Sequence, residues 1–96
     1  MKIEHIIKRD FTTRVYDLNK ITDAVEKAMD AVGVGNKQNA EDIALLVNQK
    51  LLERKKIEPE YIPTIEQVQD TVETKLMESQ FPEVAKAYIL YRNKRS

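Results

Sequence analysis

The chain contains no cysteine and no tryptophan, and His5 is its single histidine. Without cysteine there can be no disulfide framework, zinc ribbon, thiol nucleophile or iron–sulfur ligation. One histidine removes most catalytic triads and nearly every imidazole-based metal site, so His5 reads as a half-exposed strand residue. Two glycines in 96 residues are too few to build a Walker-type phosphate loop. Net charge is missing as well. Sixteen Lys and Arg balance sixteen Asp and Glu, which argues against a duplex-DNA binder and against direct nucleic-acid contact. No apolar run approaches the roughly 20 residues that span a bilayer, and neither a signal peptide at the start nor a membrane partner is expected. What remains is 42% hydrophobic residues, enough for one core in a chain that should bury roughly 60–68% of its unfolded surface. The expectation is a single cytoplasmic domain, covering residues 1–96, that is not an enzyme by itself.

Apolar spacing divides the chain into five segments. Residues 2–16 carry Ile3, Ile6 and Ile7 before a polar centre and Val15 and Tyr16 after it, which predicts a short β-hairpin turning around Asp10. From Asp17 the period changes: Leu18, Ile21, Val25, Ala28, Met29 and Val32 mark one face of a helix over about 17–32. Asp17 is placed to cap that helix and Gly33 to end it in the left-handed conformation. A second helix is read over about 40–54, with Asn39 as its cap. Residues 55–63, holding Pro59 and Pro63, are read as an extended or looped connection. Thr64-Ile65-Glu66-Gln67 is a capping box opening a third helix over about 65–78. Pro82 suits the first turn of a fourth over about 82–94, whose cationic end of Arg92, Lys94 and Arg95 suits the macrodipole. Val84, Ala85, Ala87, Tyr88, Ile89, Leu90 and Tyr91 cover almost the whole circumference of that last helix. Such a helix is buried on several sides, centrally or against another chain. The fold class is therefore α+β, mainly α: an N-terminal hairpin covering a four-helix bundle.

Three groups of side chains stand out for chemistry, and each has an ordinary explanation beside the functional one. Lys8-Arg9-Asp10 at the hairpin turn either grips a polyphosphate, through the arginine fork and the lysine point charge, or is a solvated turn. Lys20, early in the first helix, either points back to that hairpin or lies on the surface. Arg92 and Arg95 either serve a site or merely complement the helix dipole. Tyr88 and Tyr91 read as core rather than as a base-stacking platform. The carboxylates Glu41, Asp42, Glu58, Glu60 and Glu66 read as helix-start and loop charges, with no pair placed as acid and base.

Read in order, these pieces resemble a known family. Ile6-Ile7-Lys8-Arg9-Asp10 and then Tyr16-Asp17-Leu18-Asn19-Lys20-Ile21 resemble the V-x-K-R-D-G … F-D-x-x-K-I opening of the ATP-cone. Val68-Gln69-Asp70-Thr71-Val72-Glu73 with Leu76-Met77-Glu78 resembles its third-helix segment, and Phe81 to Arg92 its closing helix. The likeness runs from about Lys2 to Arg95.

The ATP-cone is the regulatory nucleotide-binding module of ribonucleotide reductases, and is found also in a transcriptional repressor of their genes. The resemblance implies that ATP, activating, and dATP, inhibiting, compete for one pocket between hairpin and helices, with Mg2+ accompanying the triphosphate. It implies the catalytic domain or subunit of a reductase as partner, a change of quaternary arrangement as mechanism, and a possible homo-oligomer. By matching position it assigns Lys8 and Arg9 to the triphosphate, Lys20 to phosphate or ribose, and Ile6 and Ile21 to the apolar surface beside the nucleotide. Gln69 falls on the face approaching the base, Arg92 where a cation meets the phosphates, and Arg95 is a secondary choice. The resemblance also places the end of the chain where the module would pass to a catalytic barrel.

One departure from the family pattern stands at the turn, where Phe11 occupies the glycine position. Either the turn takes another conformation, or Phe11 covers the pocket, or binding is weakened. The competing reading is accordingly a cone that mediates contacts through its last helix without binding nucleotide. A DNA-linked repressor would need a cysteine-rich zinc ribbon, and this chain has no cysteine.

Overall fold

The computed structural model describes residues 2–94 and consists of a two-stranded hairpin and four helices. Strands β1 (His5–Ile7) and β2 (Thr13–Val15) pair antiparallel, with Ile6 opposite Arg14. The helices are α1 (Leu18–Val32), α2 (Lys37–Ile57), α3 (Ile65–Glu78) and α4 (Pro82–Lys94). Arg95 lies outside the described residues. Helix α1 packs on α2 and α4, and α3 packs on the same two, so the helices form a closed square around one core. Val25 and Met29 of α1, Ile43 and Val47 of α2, Val72 and Leu76 of α3, and Val84 of α4 fill that core. No helix of the described residues is long and apolar enough to cross a membrane.

Local chemistry sets the helix ends. Asp17 is extended and its carboxylate accepts the Asn19 amide at 2.9 Å, opening α1. Gly33 adopts φ 68° and closes it, with the Val34 amide donating back to the Met29 carbonyl at 3.1 Å. Thr64 and Gln67 form the reciprocal box that opens α3, at 3.0 and 3.1 Å. At the far end of α3 the left-handed residue is Gln80, φ 65°, and the Phe81 amide reaches the Leu76 carbonyl at 2.8 Å.

Helix α2 is longer at both ends than the apolar period indicates. Asn39 is not its cap but lies inside its first turn. Asn36 is the cap, and the two asparagines exchange side-chain and backbone bonds at 2.9 and 3.1 Å. An Asn-x-x-Asn pair thus does what a Thr-x-x-Gln box does, one turn earlier in the chain. At the other end the helix runs past Arg54 to Ile57. Pro59 restricts only the residue before it, so Glu58 turns extended while Lys55, Lys56 and Ile57 remain helical. Of the two placements expected for α4, the central one is not found, since the helix occupies a corner of the square. Val84, Ala85 and Tyr88 are buried, whereas Leu90 remains 66% exposed.

The connection from α2 to α3 is ordered by its own contacts. The Arg54 guanidinium lies 4.3 Å from the Tyr61 ring centroid, and the Tyr61 hydroxyl donates to Gln67 at 2.9 Å. Buried Pro63 ends the segment, and its carbonyl accepts the Ile7 amide at 2.9 Å. Ile7 also bridges Thr64 in parallel, so the hairpin is clasped to the start of α3.

Gly35 is where backbone freedom is needed for packing. Its φ is +86°, and a Cβ built there would stand 2.6 Å from the Met29 sulfur, which is fully buried. Gly35→Ala is expected to lower the unfolding free energy by about 1–3 kcal/mol, measured as a reduced urea midpoint with an unchanged slope.

Candidate functional site

A cleft of about 400 Å³ opens between the hairpin and the helices. The hairpin contributes Ile6, Arg9, Arg14, Val15 and Tyr16, and Asp17 follows it. Helix α1 lends the stripe Lys20, Ile21, Asp23, Ala24 and Lys27, spaced at three and four residues and therefore on one face. Ile65, Val68 and Gln69 come from α3, and Tyr88 and Tyr91 from α4.

The turn that carries the basic residues is built around Asp10. Its carboxylate accepts the Thr12 hydroxyl at 2.6 Å and the Thr12 amide at 3.1 Å. These two bonds, the hydroxyl first, hold the Asp10 carboxyl below its ordinary pKa. Asp10 is thereby a turn former rather than a ligand. The Phe11 amide donates to the Lys8 carbonyl at 3.0 Å, and the Lys8 amide to the Thr12 carbonyl at 2.7 Å. This is a tight turn followed by a left-handed residue, a position that favours glycine. Phe11 takes it nonetheless, with φ 68°. The turn therefore keeps the left-handed conformation, and the ring, 88% exposed, is not part of the cleft lining.

Five of the residues singled out from the sequence meet at this cleft: Ile6, Arg9, Lys20, Ile21 and Gln69. The Arg9 guanidinium donates to the Gln69 side-chain oxygen at 3.2 Å, joining hairpin to α3. Two others are not brought there. Lys8 is exposed at the base of the turn, just past the end of β1, and does not line the cleft. Arg92 is turned to α3, where it pairs with Asp70 at 2.8 Å and with Glu73, and its side chain is only 14% exposed. Burial pulls the Arg92 pKa down, but the bonds from the two carboxylates outweigh it and the net shift is upward. Arg92 is a cross-link between α3 and α4 and does not reach the cleft lining.

Sequence reasoning missed Arg14 and Lys27, and took Tyr88 and Tyr91 for core alone. Tyr88 is buried and also walls the cleft, with its ring centroid 6.2 Å from that of Tyr91. Burial pushes the Tyr88 hydroxyl well above its ordinary pKa. Tyr16 is held at the mouth by a bond from its hydroxyl to Asn48 of α2 at 3.0 Å, and burial raises its pKa to about 12. Lys27 had a visible signal, since it stands seven residues after Lys20 and hence on the same face of α1.

The lining holds four cations, Arg9, Arg14, Lys20 and Lys27, against two carboxylates, Asp17 and Asp23. Asp17 is already engaged in capping α1. Among the described residues the ion pairs involve Lys50, Arg54, Lys75 and Arg92, and no cleft cation enters one. The Nε of Arg14 is buried and has no acceptor among the described residues. A concave site with excess positive charge, an aromatic wall and an apolar floor suits an anion that carries a flat ring.

Residues 4–96 match the ATP cone domain family. The chain belongs to the ATP-cone family. This cone is 41% identical over 98 residues, 97% of its length, to the vitamin B12-dependent ribonucleoside-diphosphate reductase of Thermoplasma acidophilum. It is 37% identical over 90 residues, 94% of its length, to the anaerobic ribonucleoside-triphosphate reductase of Haemophilus influenzae. Against the anaerobic ribonucleoside-triphosphate reductase of Salmonella typhimurium the identity is 29% over 91 residues, 95% of the cone. The chain spans 12% of the length of each of these relatives. Membership in the family supports a nucleotide-binding regulatory role for the cone.

Two substitutions separate structural from binding roles. Phe11→Gly relieves a left-handed non-glycine residue, a strain of about 1–2 kcal/mol, partly offset by glycine's greater freedom in the unfolded chain. A gain of up to about 1 kcal/mol in urea unfolding is expected, with ligand affinity unchanged. Arg92→Ala strips Glu73 and Asp70 of their partner and is expected to cost about 1.5–3 kcal/mol of stability. At a temperature where the variant stays folded, its affinity for nucleotide should equal that of the original chain.

Proposed function

We propose that the cleft binds ATP and dATP as competing allosteric effectors and that the cone thereby controls the overall activity of a ribonucleotide reductase in the cytoplasm. The observation that carries this reading is the set of cations that form no ion pair among the described residues around an aromatic-walled cleft, in a chain whose net charge is zero. Arg9 and Lys20 are assigned to the triphosphate, with Lys8 adding to the field at the mouth. Ile6 and Ile21 supply the apolar floor, Tyr88 and Tyr91 the wall, and Gln69 a side-chain amide for the base. Among the described residues no group of three His, Asp or Glu could hold a metal ion. A triphosphate taken up here would bring Mg2+ on its own oxygens, with Asp17 and Asp23 the carboxylates nearest to it by position in the lining.

ATP and dATP differ by one hydroxyl, so the switch is a difference in affinity rather than a difference in site. Each nucleotide shifts the reductase toward the assembly that binds it better, by no more than that difference. The partner is the catalytic part of the reductase, and a second copy of the cone is a further partner where the assemblies differ in oligomeric state.

A second reading is favoured by two observations of exposed apolar surface: the Phe11 ring at the hairpin tip and the uncovered Leu90 of α4. In that reading the cone is kept for its contacts and binds no nucleotide. Calorimetric titration of the folded chain with ATP and with dATP, in the presence of magnesium, decides between them. Saturable binding of both, weakened about tenfold or more by Arg9→Ala and by Lys20→Ala and less by Lys8→Ala, is the expected outcome. Absence of heat with either nucleotide would leave the contact role.

A further inference from the structure

Strand β2 inverts the usual arrangement of a hairpin lying on helices. Arg14 pairs with Ile6, and Val15 with His5; residues paired across two strands share a face. Ile6 is 4% exposed, so the face it shares with Arg14 is the one against the helices. Val15, although it borders the cleft, is 70% exposed and lies on the other face. The strand therefore turns a guanidinium inward and an isopropyl group outward. Burial of apolar surface favours the reverse, and a one-residue change of register would deliver it.

The inward arginine is also unsatisfied. Its Nε is covered by protein and finds no acceptor among the described residues, a condition native folds leave to few polar atoms. A neighbouring carboxylate would be the ordinary remedy, yet Asp17 is occupied with the Asn19 amide and no ion pair includes Arg14. Stacking on a flat ring would not cure this, because the Nε–H lies in the guanidinium plane. The outer N–H groups lie beyond that covered atom on the cleft side, and what they suit is an oxyanion with two acceptors side by side.

We propose that Arg14 is an anion-binding residue of the cleft, held inward at the expense of stability to take a phosphate group through its outer N–H groups. The proposal rests on the reading of the cleft as a nucleotide site and adds to it the residue that selects for a polyphosphate. Arg14 reaches the cleft from the hairpin and Lys20 and Lys27 from α1, so the phosphates are gripped from two elements.

The test uses the 96-residue chain, two substitutions and two probes, inorganic tripolyphosphate and ATP. Arg14→Met keeps the length and apolar stem but removes the charge and the orphaned donor. It is expected to bind tripolyphosphate at least about tenfold more weakly, while its urea midpoint is no lower than that of the original chain. Arg14→Lys keeps the charge and loses the fork, and should bind tripolyphosphate several-fold more weakly; it decides the matter if the methionine variant does not fold. Equal tripolyphosphate binding by either variant overturns the proposal. So does failure of the original chain to bind tripolyphosphate, or a lowered midpoint with binding intact. If tripolyphosphate binds through Arg14 but ATP does not bind, the nucleotide reading fails and the assignment of Arg14 stands.

Discussion

The hairpin depends on the helices, and the cleft depends on the hairpin. Strands of three residues each cannot persist alone in water. What holds them is a clasp: the Ile7 amide on the Pro63 carbonyl, the bridge to Thr64, and Ile3 and Ile6 buried against the bundle. Tyr16 secures the other end through Asn48 of α2. Each contact is modest, but together they fix the height of the turn above α1 and α3, and with it the width of the cleft. The long connection carrying two prolines is thus a structural part of the site, although none of its residues lines it.

Charge is distributed so that neutrality overall conceals a local excess. Away from the cleft, acids and bases neutralise one another within α2, at the end of α3, and between α3 and α4. The exposed pairs of α2 and α3 contribute little to stability, but they consume the cations they hold, as does the largely covered Arg92 cross-link. Those around the cleft are left over. A low-dielectric wall formed by Tyr88 and Tyr91 strengthens their field where an anion would lie. Composition therefore misleads about this protein when it is summed over the whole chain.

Phe11 illustrates how the family pattern and the fold can part. The backbone at that position takes the left-handed conformation that a glycine would take, and the substituted side chain is accommodated by pointing into solvent. The departure alters the energy of the turn without altering its shape. An exposed phenyl ring at the hairpin tip and an exposed Leu90 on α4 give the cone apolar surface beyond what its own core uses.

Local sequence determined most of the architecture. Asp17, Gly33, Thr64 with Gln67, and Pro82 each act within one turn of chain, so their effects are legible without tertiary knowledge. The start of α2 was legible in kind but not in place, because an Asn-x-x-Asn box is a less familiar cap than Thr-x-x-Gln. The resemblance pointed to Arg9, Lys20 and Gln69, which do converge. Tertiary structure alone decided the rest. Whether Arg92 faces the cleft or α3 depends on how α3 and α4 are rotated against each other, which no spacing within either helix reveals. The inward turn of Arg14 followed from strand register, since a period of two puts Val15 and Arg14 on opposite faces and only packing says which face is covered.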